Sequence, residues 1–442
     1  MSANTPFVLA NATPYTWVLT GSESSKPMSA WSFPDLPSGI SPPVHIEFQE
    51  GSVAGDTAAA TYTFGDNSGF QHQFQIQARY LKAGTYAVQA YFQNLETPNH
   101  PKGSTIPLVG SFVLAGDGPA NFVSSFPPSG WMSTYLDLLT KYTLREICLP
   151  GSHDAGMSVL QGGTAGVNRD NVITQDSNIL FQLGNGVRYF DIRPVISAGR
   201  YLTGHYSQVP VVGAWVGGNG QSMESIVAEV NDFTSREKEL IILHLTHTRN
   251  TDVGFTSYRP FNKEEWQNFV GTLLSKINYR YISSSSTNPV DLTALTVGEY
   301  ITHQPAVLVV CDCDPDFLPS GSGLYTNANF PLTDDYADTE DLETMKLDQF
   351  TKMRKNRPAY NSPCFLLSWT LTQNPWSAVG APGGTSIFDL ARRANPELVK
   401  VLFANITANN MNGPNIILED FVGEDAVAMA IAVNFFVHGR KT

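Results

Sequence analysis

"LREICLPGSHDAGM", residues 144–157, decides how the larger part of the chain is read. "LREICL" is a short apolar run of strand type, and a Pro-Gly turn after it presents Ser152, His153 and Asp154 side by side. Runs of the same texture recur at "VRYFDI" (187–192), "LIILHL" (240–245), "AVLVVC" (306–311), "CFLLSW" (364–369) and "NIILEDF" (415–421). Between them, "MESIVAEVNDF", "KEEWQNFVGTLLSKI", "DLETMKLDQFTKMR" and "DLARRANPELVKVLFANI" carry apolar residues at helical spacing. Apolar strands alternating with helices imply a parallel sheet covered on both faces. No Gly-x-Gly-x-x-Gly follows the first strand, so an irregular (β/α)8 TIM-like barrel is expected over 126–442 rather than an open nucleotide-binding sheet.

Upstream the texture is different. "AATYTF", "FQHQFQIQARYL", "GTYAVQAYFQNL" and "PLVGSFVLAG" alternate apolar and polar residues between Gly, Asp, Asn and Pro. Period-two alternation in short segments predicts an antiparallel β-sandwich over 1–125, an accessory module with lipid or glycan as candidate ligands. "GDGPANFVSSFPPSG" (116–130) reads as the linker, and the Ser-rich 283–287 as a loop.

The chain of 442 residues carries 27 basic and 40 acidic side chains, a net charge of −13. That balance argues against nucleic acid as a partner and against docking on anionic lipid through bulk charge. The opening "MSANTPFVLANATPYTW" has neither a basic nor an apolar leader region, and the longest apolar run, "AVAMAIAVNFFV", is short of a membrane span. A cytoplasmic or membrane-peripheral protein is expected, with export by a route needing no signal peptide left open. The four cysteines, Cys148, Cys311, Cys313 and Cys364, are read as reduced thiols.

Parallel barrels gather their chemistry at the C-terminal ends of the strands. The candidate strand ends here offer His153 and Asp154, Asp191 and Arg193, then His205 after the short run "GRYLTGHYS", then His244 and His247, Asp312 and Asp314, Trp369, and finally Glu419 and Asp420. Imidazole titrates near neutrality and serves as acid or base, while an arginine suits the charge of a phosphoryl group. Ser152 is not read as a nucleophile, because "GSHDAG" lacks the Gly-x-Ser-x-Gly spacing.

In their order, "LPGSHDAGM", "GVRYFDIRP", a histidine about a dozen residues on, and "IILEDFVG" resemble phosphatidylinositol-specific phospholipase C catalytic domains and phospholipase C-like phosphodiesterases, over about 129–442. The bacterial, metal-independent type is the closer match. The resemblance implies His153 as general base acting on the inositol 2-hydroxyl and His205 as general acid toward the diacylglycerol oxygen. It further implies that Asp420 supports His153, that Asp154 pairs with His205, and that Asp191 holds Arg193. A cyclic inositol phosphate would be the first product. Calcium-dependent relatives carry Asn after the first histidine and Glu two residues before the Asp of the second motif; this chain has Asp154 and Tyr189 there. No cofactor is therefore expected, with a calcium site at Asp154 and Asp191 as the minority alternative.

The bacterial enzymes carry a lysine where this chain reads "HLTHTRN" (244–250), which opens the identity of the headgroup. His247, His244, Asp312, Asp314 and Trp369 are the candidates for substrate contact. The leading expectation is cleavage of phosphatidylinositol or a glycosylated form, with a phospholipid partner, transient membrane contact and an undetermined oligomeric state. The alternatives are another phospholipid or glycerophosphodiester headgroup, and a lipid- or glycan-binding protein with a degenerate barrel.

Overall fold

A computed structural model describes residues 7–66, 68–82, 84–209, 213–254, 256–284, 289–380, 383–408 and 411–439; most of the Ser-rich loop, 285–287, lies outside them. The chain divides into two compact units. One comprises Met1–Pro128, Pro396–Gly413 and Glu424–Thr442, the other Ser129–Asn395 and Pro414–Gly423. The break read at 125/126 thus falls at 128/129, and two later stretches return to the first unit.

In the first unit the strands are β1 (Phe7–Ala12), β2 (Val18–Ser24), β3 (Met28–Trp31), β4 (Pro43–Val44), β5 (Ile46–Phe48), β6 (Thr57–Gly65), β7 (Gln71–Lys82), β8 (Thr85–Tyr91), β9 (Thr105–Leu108), β10 (Ser111–Ala115) and β11 (Val123–Ser124). They form sheets ordered β2-β6-β7-β8-β9 and β11-β10-β1-β4, with β3-β5 apart. Along β6 the residues Ala58, Ala60, Tyr62 and Phe64 turn inward while their neighbours face out, the alternation a half-buried strand requires. Tyr62 and Phe74 from one sheet share a core with Phe7, Leu9 and Phe112 from the other, around a fully buried Trp17. The sandwich departs from an all-antiparallel one at a single pair, since β1 runs parallel to β10. Both these strands are buried at every position, and the helix Glu424–Gly439 packs against them. That helix carries "AVAMAIAVNFFV"; among the described residues no helix is long and apolar enough to cross a membrane. Part of the stretch read as a linker is sheet, because β11 pairs with β10.

The second unit contains β12 (Leu149–Ser152), β13 (Tyr189–Ile192), β14 (Pro194–Ser197), β15 (Arg200–Val209), β16 (Ala214–Ser222), β17 (Leu240–Leu245), β18 (Arg249–Asn250), β19 (Ala306–Cys311), β20 (Leu324–Thr326), β21 (Leu332–Asp334), β22 (Cys364–Ser368) and β23 (Ile416–Glu419). Eight of them form one sheet, ordered β20-β19-β17-β13-β12-β23-β22-β21, in which every pair is parallel. Its two outermost strands are consecutive in the chain, and side chains of β13, β21, β22 and β23 line one cavity. The sheet is curled, as an incomplete TIM-like barrel.

Three details differ from the sequence reading. The run "LREICL" is not the first strand: Leu144–Glu146 is a 3-10 turn closed by a Thr143–Glu146 capping box, so the strand starts at Leu149 and takes the Pro-Gly pair into itself. Gly151 is required there, because a Cβ would lie 2.8 Å from Ile416 Cγ2 on the neighbouring strand. Next, "GRYLTGHYS" is not a barrel strand. Ala198 and Gly199 both take positive φ, the conformation of a tight hairpin turn, and fold β15 back onto β14 in a separate sheet, β16-β15-β14-β18. Finally, β20 and β21 complete the sheet with three residues each, too few for a periodicity to register.

Candidate active site

The ends of β12, β13, β17, β21, β22 and β23, together with the hairpin strand β15, converge on one cavity of about 280 Å³, lined among others by His153, Asp191, Arg193, His205, His247, Asp334, Ser368 and Asp420. The turn carrying His153 is fixed by backbone bonds to both neighbours: His153 N–H donates to Glu419 O (3.0 Å) and Ala155 N–H to Asp191 O (2.7 Å). Gln175 clips the same region, its amide donating to the carbonyls of His153 (2.8 Å) and Glu419 (3.1 Å). Asp154, His247 and Phe421 hold positive φ (42°, 47° and 48°), so non-glycine left-handed residues stand at three strand ends around the mouth.

Two histidine–carboxylate pairs face the cavity. His153 Nδ1 lies 2.7 Å from Asp420 Oδ1, and His205 Nδ1 lies 2.7 Å from Asp154 Oδ2. Arg193 sits between them. Its Nη2 is 3.0 Å from Asp191 Oδ2 and 2.7 Å from His153 Nε2, and its Nη1 is 3.5 Å from Asp154 Oδ2. The other Asp191 oxygen accepts from Thr246 Oγ1 at 2.6 Å. His153, Arg193 and His205 keep 18%, 19% and 20% of their side-chain surface exposed, so each is anchored yet open to the cavity.

Electrostatics follow this geometry. Burial opposes the charged form of His153, but Asp420 outweighs it and holds the imidazole above its ordinary value, against a counter-effect from Arg193. Burial likewise opposes ionisation of Asp191, yet the Arg193 guanidinium keeps its carboxyl below the usual range. Burial, with help from Arg193, pushes His247 down. His247 Nδ1 is 3.0 Å from Thr246 Oγ1, whose own proton goes to Asp191; Nδ1 therefore donates and Nε2 is left as an acceptor.

Of the other candidates, His247 lines the cavity and the rest do not. His244 spends Nδ1 on Tyr189 Oη (2.6 Å) and Nε2 on Asn327 Oδ1 (2.8 Å), so it is a buried structural histidine. Trp369 is fully buried and donates to Ala394 O at 2.8 Å; its neighbours Ser368 and Thr370 face the cavity because side chains alternate across the strand end. Asp314 caps the 3-10 turn Pro315–Phe317, and exposed Asp312 accepts from Asn327. Several residues at the site escaped the sequence reading, Asp334 and Gln175 among them. Asp334 lines the cavity on the short strand β21, and burial followed by the neighbouring Asp191 raises its carboxyl. Gln175 lies in a loop without periodicity. "TDD" at the end of an apolar stretch was the only signal for Asp334.

As for a metal, Asp154 Oδ2 faces Arg193 and His205, Asp191 Oδ2 faces Arg193, and Asp191 Oδ1 accepts from Thr246, while Asp154 Oδ1 is buried without a hydrogen-bond partner. Among the described residues no group of three or more His, Cys, Asp or Glu is placed to hold a metal ion.

Fold and site together define a parallel-barrel protein in which one cavity holds two His–Asp pairs on either side of one arginine, a constellation suited to acid–base chemistry on a phosphodiester. No family model matches the sequence. Over 82 residues it is 40% identical to the 1-phosphatidylinositol phosphodiesterases of Staphylococcus aureus strains Newman and NCTC 8325 / PS 47, a stretch covering 19% of this chain and 24% and 23% of those proteins. The chain thus matches about a quarter of the length of these curated relatives. Among solved structures it is similar to phosphatidylinositol-specific phospholipase C from Listeria monocytogenes (TM-score 0.46, 16% identity, 69% of this chain and 98% of that one). A mutant of the Staphylococcus aureus enzyme gives a TM-score of 0.49 at 19% identity, covering 70% and 98%. The sequence likeness bears out the resemblance to phosphatidylinositol-specific phospholipases C read from the motifs.

Proposed function

We propose that this protein cleaves phosphatidylinositol, or a glycosylated form of it, by phospholipase C chemistry without a metal. The observation that carries this reading is the pair of His–Asp couples on either side of Arg193 in one cavity. His153 Nε2 accepts the proton of the inositol 2-hydroxyl as that oxygen attacks phosphorus. His205 gives a proton to the glycerol oxygen as the P–O bond breaks, yielding diacylglycerol and a cyclic inositol phosphate. Arg193 stabilises the charge on the nonbridging oxygens. Asp420 and Asp154 fix the tautomers of the two imidazoles.

The substrate enters from a lipid surface in this reading. Tyr336 lines the cavity, Trp376 and Phe388 flank its lining residues Ala378 and Ile387, and all three aromatics are exposed, Trp376 by 70%. Such side chains favour the headgroup region of a bilayer. A second reading keeps the chemistry and changes the headgroup; it is supported by Thr246-His247 standing where the resemblance calls for a lysine.

The test is phosphatidylinositol cleavage in mixed micelles followed by phosphorus NMR, with and without EDTA. Wild type should release a cyclic phosphate in both conditions, and His153→Ala and His205→Ala should each lose activity by at least ~100-fold while staying folded. Activity retained in both variants overturns the assignment. Turnover of another headgroup in a phospholipid panel, with none of phosphatidylinositol, selects the second reading. Loss to EDTA with recovery on added calcium overturns metal independence.

A further inference from the structure

The guanidinium meant to meet the substrate also covers the base. His153 Nδ1 is engaged by Asp420 at 2.7 Å, which places the ring proton on Nδ1 and leaves Nε2 with a lone pair. Arg193 Nη2 lies 2.7 Å from that lone pair. An arginine has no acceptor, so the contact exists only when Nε2 is unprotonated and receiving. Asp191 steadies the arginine in this position through contacts of 3.0 and 3.1 Å, and its nearer oxygen is 4.0 Å from Nε2. The atom that must accept the hydroxyl proton is thus already hydrogen-bonded.

We propose that Arg193 is a removable cap on His153, drawn off Nε2 only when a phosphate enters the cavity. This rests on the reading of His153 as base and Arg193 as phosphate ligand. A phosphoryl group carries the charge and the paired oxygens a guanidinium prefers to a neutral imidazole, so it competes for the same N–H. A polyol without phosphate offers no such competition and leaves the base covered. The base is freed at the moment the phosphate arrives. Until then the same N–H keeps a proton off Nε2 and holds the imidazole in the tautomer the reaction needs. Arg193 acts on His153 here as a positioning residue, in addition to its contact with substrate.

The experiment uses the full chain with nitrogen-15-labelled histidine and long-range proton–nitrogen correlation spectra, His153 being assigned by its loss in His153→Gln. In the free protein at pH 7.5, His153 should show the Nδ1–H tautomer with a hydrogen-bonded Nε2. Adding myo-inositol 1-phosphate should move the Nε2 resonance, whereas myo-inositol at equal concentration should leave it in place. In Arg193→Met the resonance should sit from the start at the value of an unbonded lone pair. A protonated Nε2 in the free wild type, or identical Nε2 resonances in wild type and Arg193→Met, overturns the cap. Equal responses to inositol and inositol 1-phosphate overturn phosphate-triggered release. The wild-type measurements need no variant to fold, and they are independent of turnover. A covered Nε2 in a protein that cleaves no phosphodiester counts against the proposed function and leaves the cap standing.

Discussion

β13 carries an arginine just before its start and another just past its end, and the two have opposite surroundings. Arg188 is fully enclosed, with Nε 2.9 Å from Glu239 Oε2 and Nη1 donating to the carbonyls of Leu183 and Val187. Arg193 faces a cavity and is shared between two carboxylates and an imidazole. The same side chain five positions apart is a closed fastening in one place and faces an open cavity in the other. What separates them is how completely the partner set excludes anything new. At Arg188 the strand start is closed; at Arg193 the strand end is held in shape yet left open to one more anion.

The sharpest way to break this contrast is to remove each arginine in turn. Arg193→Met should cut kcat on phosphatidylinositol by about 100- to 1,000-fold, the cost of losing a charge-stabilising donor, with a smaller loss of stability than Arg188→Met because its site stays open to the cavity. Arg188→Met strands Glu239 without its counter-charge and should cost about 3–5 kcal/mol in urea unfolding. Equal losses of stability in the two variants would erase the distinction.

Acid titration tests the same end of the strand. The folded-state value of Asp191 lies below its unfolded one, so its contribution to stability is complete above the unfolded carboxylate range and fades as pH falls through the folded value. Unfolding at stepped pH should show Arg193→Met losing part of this acid-side slope, because burial without the guanidinium favours the neutral acid. An unchanged slope would mean the pair does not couple.

A smaller effect is expected on the hairpin that carries His205. A Cβ on Gly217 would lie 2.1 Å from His205 O, so Gly217→Ala should displace β15 and lower kcat roughly 10-fold while leaving the barrel strands paired. Hydrogen exchange of β12, β13 and β17 amides, measured beside kcat, separates this from general unfolding. The smallest effect is reserved for Asp314→Ala. It removes a turn cap worth about 1 kcal/mol, and kcat should stay at the wild-type value, as befits a residue at a strand end but outside the cavity.

Which strand ends matter was legible where a charged pair interrupts an apolar run within a few residues, as at His153-Asp154 and at Asp191 with Arg193. These short motifs carry their own local geometry. Legibility failed where direction or length decided the outcome. Trp369 follows Ser368 on a strand of period two and so faces the other way, away from the cavity. His244 points into the barrel, yet only the positions of Tyr189 and Asn327, distant in sequence, show that both its nitrogens are spent. Asp334 belongs to a three-residue strand that exists only because β22 supplies its hydrogen bonds. The run holding His205 has the texture of a barrel strand; the Ala198-Gly199 turn that sends it elsewhere is two residues long.

The division of the chain bears on how the molecule is made. Pro396–Gly413 and Glu424–Thr442 complete the first unit, while Pro414–Gly423, bearing strand β23 and Asp420, completes the second. During synthesis the ribosome therefore releases the sandwich strands first and their covering helix after nearly everything else. Asp420, the carboxylate paired with His153, emerges within the same late stretch. A nascent or prematurely terminated chain lacking those final segments holds neither a finished sandwich nor a finished His153 couple. A chain whose His153–Asp420 couple closes only after its last strand has been delivered cannot present a finished cavity while half-made.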